Sequence, residues 1–312
     1  MLTTTNTPSP SEATALSIIT HSATPDFDNV VMLWLGRYAK TTADNYRRDL
    51  YQFLAFVGEV KDFRLIPAHV YAAYGLYLQN ECGYKPRTTR RKLAALSSFC
   101  KCAFEVGYMK ANPTVVIRKP KVSSTLAGRR LTEKQVWKLI DGCEDLRNRT
   151  LMKTLYALGL RISEACSLNW GDFHIDSRGK ITVSVLGKGD KHRTLVVPPA
   201  LWLELEVLRG TQTHSTDNDA VFQTYSNRYR KQSGKRLDRT NAHRVVKQAA
   251  LDCGLPENVS CHWLRHANAF HALANGASLP LVRDSLGHSN ISTTNAYLET
   301  DPEDCTSLYI KL

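Results

Sequence analysis

The sequence predicts a mainly helical protein with one small β hairpin, an α+β chain built as two domains. Three observations predict it. Residues 27–112 repeat apolar positions at helical spacing and show no β-type alternation. Strict alternation is confined to one stretch, where Ile181, Val183 and Val185 are answered by Leu195 and Val197 across GKGDKHR. The length, 312 residues, is enough to bury two separate cores.

Each element follows in chain order. Residues 1–26 are rich in Thr, Ser and Pro and lack periodicity, as expected of a mobile tail. Residues 27–114 form the first domain. Val30–Leu35 opens it, and Thr41-x-x-Asp44 is a helix-start signal before a face of Tyr46, Leu50, Phe53, Leu54 and Val57. Val70, Tyr74, Tyr77 and Leu78 make a second face. Leu93, Leu96, Cys100, Ala103 and Phe104 make a third, which stops at Gly107. Four or so helices result, enough for a small bundle. Asn112-Pro113 breaks the pattern, and residues 115–129 are expected to be an extended basic linker. The second domain, 130–312, begins with Thr132-x-x-Gln135, a capping box ahead of Val136, Leu139 and Ile140. Its hairpin turns at Gly187–Lys191, a polar basic stretch covers 225–239, and helical pattern returns from about Thr240.

Composition narrows the function. Charged residues are 22% of the chain and the net charge is +12, an excess whose commonest soluble partner is nucleic acid. Some of that charge is oddly placed. Lys85, Arg87, Arg90, Arg91 and Lys92 crowd the first turns of one helix, where the macrodipole opposes cations and a docking polyanion would relieve them. A solvated charged face is the alternative for these residues, as it is for Lys191, Arg193 and the 225–239 patch. No apolar run approaches a membrane span, and no Lys or Arg precedes the mildly apolar N-terminal patch, which predicts no membrane association and no secretory signal. Eight scattered cysteines without a CxxC pair predict reduced thiols in a cytoplasmic protein. His262, His266 and Cys261 lack the second Cys/His cluster that a metal site needs.

Four segments of the second domain gather chemistry. LGLRISEACSLNW places Arg161 after a Gly159 helix stop and Glu164 one turn on. The hairpin tip carries Lys188. CHWLRHANAFHAL puts His262 and Arg265 on one helix face. LGHSNISTTNAYLET spaces Tyr297 nine positions after His288. Attack on a phosphodiester builds negative charge on the non-bridging oxygens, which arginine forks and histidine donors match. A tyrosine hydroxyl is a competent oxygen nucleophile, and Lys or His can protonate the leaving alkoxide. The sequence has no carboxylate cluster for Mg²⁺ and no Walker loop, so this set predicts phosphoryl transfer through tyrosine with no metal and no nucleotide cofactor.

The sequence resembles the tyrosine recombinases of the phage-integrase and Xer-like family. G-L-R-x-x-E stands at Gly159–Glu164, G-K-G at Gly187–Gly189, H-x-L-R-H at His262–His266, and L-G-H with a tyrosine nine positions after the histidine at Leu286–Tyr297. T-x-x-x-Y-x-x-D-L at Thr42–Leu50 extends the resemblance to the helical half. One departure is Phe270 after Ala269, where relatives usually carry a small Ser or Thr.

The resemblance implies an N-terminal helical core-binding (SAM-like) domain and a C-terminal catalytic domain that clamp double-stranded DNA. It implies that Tyr297 attacks the scissile phosphate to leave a 3′-phosphotyrosyl link. Arg161 and Arg265 would bind non-bridging oxygens, His288 would add a hydrogen bond, Lys188 would protonate the leaving oxygen, and His262 would act as the base toward Tyr297. Glu164 would support Arg161. Candidate DNA-binding cations are Arg87, Arg90, Arg91, Lys92, Lys191 and Arg193. A homotetramer on two DNA sites is further implied. Two rival readings are a type IB topoisomerase, which would relax any supercoiled plasmid without recombinants, and a DNA-binding protein of this fold without activity.

Overall fold

The computed structural model describes residues 25–122, 130–187, 191–226 and 232–287. Lys188, His288 and Tyr297 therefore lie outside the described residues, as do most of the N-terminal tail and residues 123–129 of the expected linker. The chain divides into two compact units at Ser123/Ser124.

The described residues of the first unit form four α-helices: α1 Phe27–Gly36, α2 Lys40–Val57, α3 Ala68–Asn80 and α4 Pro86–Glu105. Asp26 caps α1 by accepting the N–H of Asn29 at 2.7 Å. Pro86 opens α4 at a first-turn position where its missing N–H costs nothing. The predicted faces converge on an aromatic core of Trp34, Phe53, Phe63, Tyr71, Tyr74 and Phe99. Trp34 lies stacked on Tyr46, and its indole donates to Ser98 Oγ at 3.1 Å.

Three expectations here need correction. The second helix begins at Lys40, with Ala39 as N-cap and no side-chain cap, so Thr41 sits inside the first turn. An edge-to-face contact of Tyr38 with Tyr46, ring centroids 4.8 Å apart, secures the start of α2 in place of a capping side chain. Phe104, expected in the core, is 49% exposed. The buried arc of α4 is centred on Ala95, Phe99 and Cys102, and Phe104 falls at its edge in the last turn. The expected linker also starts later. Pro113–Val116 is a 3₁₀ turn capped by Asn112, and Ile117 packs on the first core.

The second unit contains α5 Glu133–Asp141, α6 Leu146–Ala157 and the short α7 Ile162–Ser167. An antiparallel sheet follows, β1 Phe173–Ile175, β2 Ile181–Leu186 and β3 His192–Val196, in the order β1-β2-β3. Next come α8 Pro199–Gly210, the hairpin β4 Gln223–Tyr225 with β5 Gln232–Arg236, and then α9 Arg239–Asp252, α10 Cys261–Ala274 and α11 Leu279–Leu286. The predicted capping box is present, with Thr132 and Gln135 bonding each other's backbone N–H. Val183 and Val185 turn inward opposite Leu195 and Arg193. The core joins Leu139, Leu151, Leu155, Val183, Leu205, Val246 and Leu264, each fully buried and each contributing about 1.5–3 kcal/mol.

Two strand pairs were not expected. β1 is three residues long and joins β2 through a turn in which Asp176 Oδ1 accepts the N–H groups of Arg178 and Lys180, with Gly179 at φ +74°. β5 lies inside the stretch 225–239 anticipated only as polar and basic, and β4 ends where that stretch begins. Arg147 fixes this hairpin, donating to Gln223 O at 2.8 Å and stacking over Tyr225. Among the described residues no helix is long and apolar enough to cross a membrane.

Candidate active site

The site grows from the end of α6. Gly159 turns the chain at φ +59°, and any Cβ there would lie 2.6 Å from Asn268 Oδ1 and 2.7 Å from Leu286 Cδ2. Only glycine fits this junction of α6, α10 and α11. The chain then re-enters a helix at once. Arg161 takes the N-cap position of α7, and Glu164, three residues on, accepts the Arg161 backbone N–H at 2.8 Å.

Glu164 is 4% exposed and lies among three guanidinium groups. Arg161 Nη1 donates to Oε1 at 2.7 Å. Arg193 grips both oxygens, Nη2 to Oε2 at 2.7 Å and Nη1 to Oε1 at 3.1 Å. Arg265 Nη1 lies 3.8 Å from Oε2. Burial pushes the Glu164 carboxyl up, but the hydrogen bonds of Arg193 and Arg161 and their charges outweigh it and hold the group below the usual carboxylate range. One carboxylate among three guanidiniums leaves the cluster with two uncompensated positive charges, a region built for an anion.

Arg265 is 2% exposed. Its Nη1 donates to Gly159 O and its Nη2 to Leu286 O, both at 2.6 Å. The guanidinium thus ties α10 to the ends of α6 and α11. Arg161 Nη2 reaches Gly287 O at 3.2 Å, and Gly287 is the left-handed C-cap of α11 at φ +63°. Both arginines therefore converge on the point from which the chain continues into His288. His262 is exposed in the first turn of α10, with its ring 4.6 Å from that of His266. So Arg161, Glu164 and Arg265 form one cluster, and His262 projects from the helix that carries Arg265.

The remaining candidates separate into two groups. Arg87, Arg90, Arg91 and Lys191 are exposed. Lys92 is turned inward at 11% exposure, bonded to Asp49 at 2.8 Å and Gln52 at 2.7 Å, where it offsets a buried carboxylate that Arg91 also grips. Arg193 is likewise internal, at 12% exposure. Neither is the solvated DNA-facing cation expected of it, because each serves a buried carboxylate. Arg193 carried a readable signal. It shares the inward register of β3 with Leu195 and Val197, and a charge in that register demands a buried partner. Arg236 was missed too: it donates to the Cys166 and Leu168 carbonyls and so closes the C-terminal end of α7. Among the described residues no group of three or more His, Cys, Asp or Glu side chains is arranged to hold a metal ion.

Residues 129–304 match the phage integrase family, and residues 31–106 match the phage integrase N-terminal SAM-like domain. The chain is 32% identical to tyrosine recombinase XerD of Halalkalibacterium halodurans, over 83% of this chain and 87% of the relative. Two solved structures share the fold. A lambda integrase tetramer bound to a Holliday junction matches with TM-score 0.69 at 17% identity, covering 93% of this chain and 82% of that one. XerH recombinase in a post-cleavage complex with its palindromic difH substrate matches with TM-score 0.67 at 21% identity, covering 86% and 79%. By the family model, which matches more than half its length, and by the XerD relative, the chain belongs to the phage integrase family.

Proposed function

We infer that the chain is a tyrosine-type site-specific recombinase, which cleaves and rejoins DNA strands through a 3′-phosphotyrosyl intermediate and so integrates, excises or resolves DNA. The observation that best supports it is the Glu164-centred arginine cluster. It is net positive and fixed by buried hydrogen bonds, so it needs no reorganisation when charge develops.

The roles follow from that geometry and from the motifs. Arg161 and Arg265 neutralise charge on the non-bridging oxygens of the scissile phosphate. His288 adds a donor beside them. The Tyr297 oxygen bonds to phosphorus and its proton passes to His262. The bond to the 5′ oxygen breaks, and Lys188 protonates that oxygen as it leaves. The phosphodiester energy stays in the phosphotyrosine, and attack by a 5′-hydroxyl reverses the step and rejoins a strand. Neither ATP nor a metal takes part. Double-stranded DNA is the substrate, and four copies act on two sites in the cytoplasm. The lambda integrase tetramer bound to a Holliday junction supports that stoichiometry.

The test uses nicked duplex fragments tiled across the DNA neighbouring the gene, incubated with the protein in EDTA. A nick just past the cut lets the short product diffuse away and traps the covalent complex. An SDS-resistant adduct on one fragment is expected. Absence of an adduct on every fragment, with footprints showing that one of them is bound, would replace the enzyme with a DNA-binding protein of this fold.

Salt gives a second expectation. With Arg87, Arg90, Arg91 and Lys191 among the phosphate contacts, affinity for that fragment should fall roughly a thousandfold between about 50 and 200 mM salt. Fluorescence anisotropy measures it, and a flat response would remove phosphate contacts as the source of binding.

A further inference from the structure

Glu164 can accept about four hydrogen bonds, and four donors meet it: the Arg161 backbone N–H, Arg161 Nη1 and both Nη atoms of Arg193. Half of that demand is met by a residue that the recombinase motifs do not include. The third donor position of Arg193 is also used, Nε to Ser285 O at 2.9 Å.

The surroundings of the Arg193 guanidinium are restrictive. A Cβ on Gly287 would lie 3.2 Å from Nη1 and 3.4 Å from Cδ. A Cβ on Gly187 would lie 3.5 Å from Nη1 and 3.2 Å from Lys191 O. The group therefore sits between two glycines. Gly187 closes the base of the hairpin that carries Lys188, its N–H bonded to Lys191 O at 2.8 Å. Gly287 ends α11 immediately before His288. Arg193 touches the hairpin base, Glu164 and the end of α11 at once.

We propose that Arg193 is a positioning residue for DNA cleavage: it neutralises Glu164, so that Arg161 and Arg265 present their full charge to the scissile phosphate. This rests on the recombinase reading above. The argument is one of charge balance. With Arg193 in place the cluster carries three positive charges and one negative. Without it, the carboxylate turns on Arg161 and Arg265, and the anion site loses half of its net charge. Both Nη atoms of Arg193 are spent on Glu164 and its Nε on Ser285 O, so its effect on the phosphate runs through the carboxylate.

The experiment measures single-turnover adduct formation on the trapped fragment, with DNA affinity measured alongside. Arg193→Met is expected to cleave about 10- to 100-fold more slowly with affinity unchanged. Arg193→Met combined with Glu164→Gln restores the net charge and is expected to recover most of that loss. A packing role predicts the opposite, since the double variant removes more of the cluster's hydrogen bonds. A double variant as slow as Arg193→Met, or slower, overturns the proposal, as does an Arg193→Met rate equal to wild type. If Arg193→Met does not fold, Arg193→Lys keeps the charge without the fork. It is expected to cleave within about threefold of wild type, and a folded, DNA-binding Arg193→Lys more than about tenfold slower overturns the proposal. Absence of any adduct with wild type overturns the recombinase reading itself and takes the proposal with it, an outcome distinct from a wild type that cleaves while Arg193→Met keeps pace.

Discussion

Tyr297→Phe will bind the trapped fragment as tightly as wild type and form no covalent adduct, a loss of at least about a thousandfold in cleavage. The substitution keeps the ring and removes one oxygen. That oxygen is the proposed nucleophile, and a residual rate would require a substitute able to reach phosphorus in line. Other tyrosines are poor candidates. Tyr71 and Tyr74 are fully buried in the first unit, where burial pushes their phenols well above the usual range. Tyr309, twelve positions further on, is the nearest in sequence. Binding is read by gel shift and the adduct on a denaturing gel. An SDS-resistant adduct with Tyr297→Phe would transfer the nucleophile to another tyrosine. Weakened binding with normal cleavage of the bound fraction would make Tyr297 a DNA contact.

Much of this site could be read in the sequence because its parts are local. Gly159 marks a helix stop, and Arg161 with Glu164 is an i, i+3 pair. The capping box at Thr132–Gln135 names its own helix start. Val136, Leu139 and Ile140 lie on a face that helical spacing alone defines. What stayed hidden depends on partners distant in sequence. Lys92 is assigned by Asp49, forty-three positions earlier, and not by its position in a basic run. Arg193 is assigned by Glu164 and Ser285, and the strand register that betrays it carries meaning only once β3 is known to face a core. β1 has too few residues to show a period, so its only signal was the Asp176–Gly179 turn. The strands β4 and β5 flank and enter a polar, basic segment; Arg147 reaches in from α6 to bond Gln223 O, and Arg236, on β5 itself, reaches out to Cys166 O. Basic residues were readily counted but hard to sort, since the same side chain serves a phosphate outside or a carboxylate inside.

That sorting sets the second large effect. Glu164→Gln should destabilise the second unit by about 3–5 kcal/mol, a large share of the 5–15 kcal/mol typical of a whole domain. Glutamine has nearly the same volume, so the loss is electrostatic. Four donors converge on the wild-type carboxylate, and the glutamine amide must turn an NH₂ toward two of them. Three guanidiniums then share a buried space with no counter-charge. The effect also has a pH signature. Burial alone would raise the Glu164 carboxyl, but Arg193 and Arg161 hold it below its ordinary value of 4.5. A carboxylate depressed in the folded state adds stability that is complete above its unfolded pKa and is lost as pH falls through the folded one. Wild type should therefore lose this contribution below pH 4.5 and keep it at neutrality. In Glu164→Gln the slope of stability against pH in that acid range should fall by up to one proton, about 1.4 kcal/mol per pH unit. Urea titrations followed by fluorescence measure it, because Trp137, Trp170, Trp202 and Trp263 all report on the second unit and only Trp34 on the first. Equal stability at pH 7 would mean that the cluster bears no strain without its carboxylate. An unchanged acid slope would mean that Glu164 is not the group that titrates. Either result would also weaken the charge-balance account of Arg193, since both depend on the same ionised carboxylate.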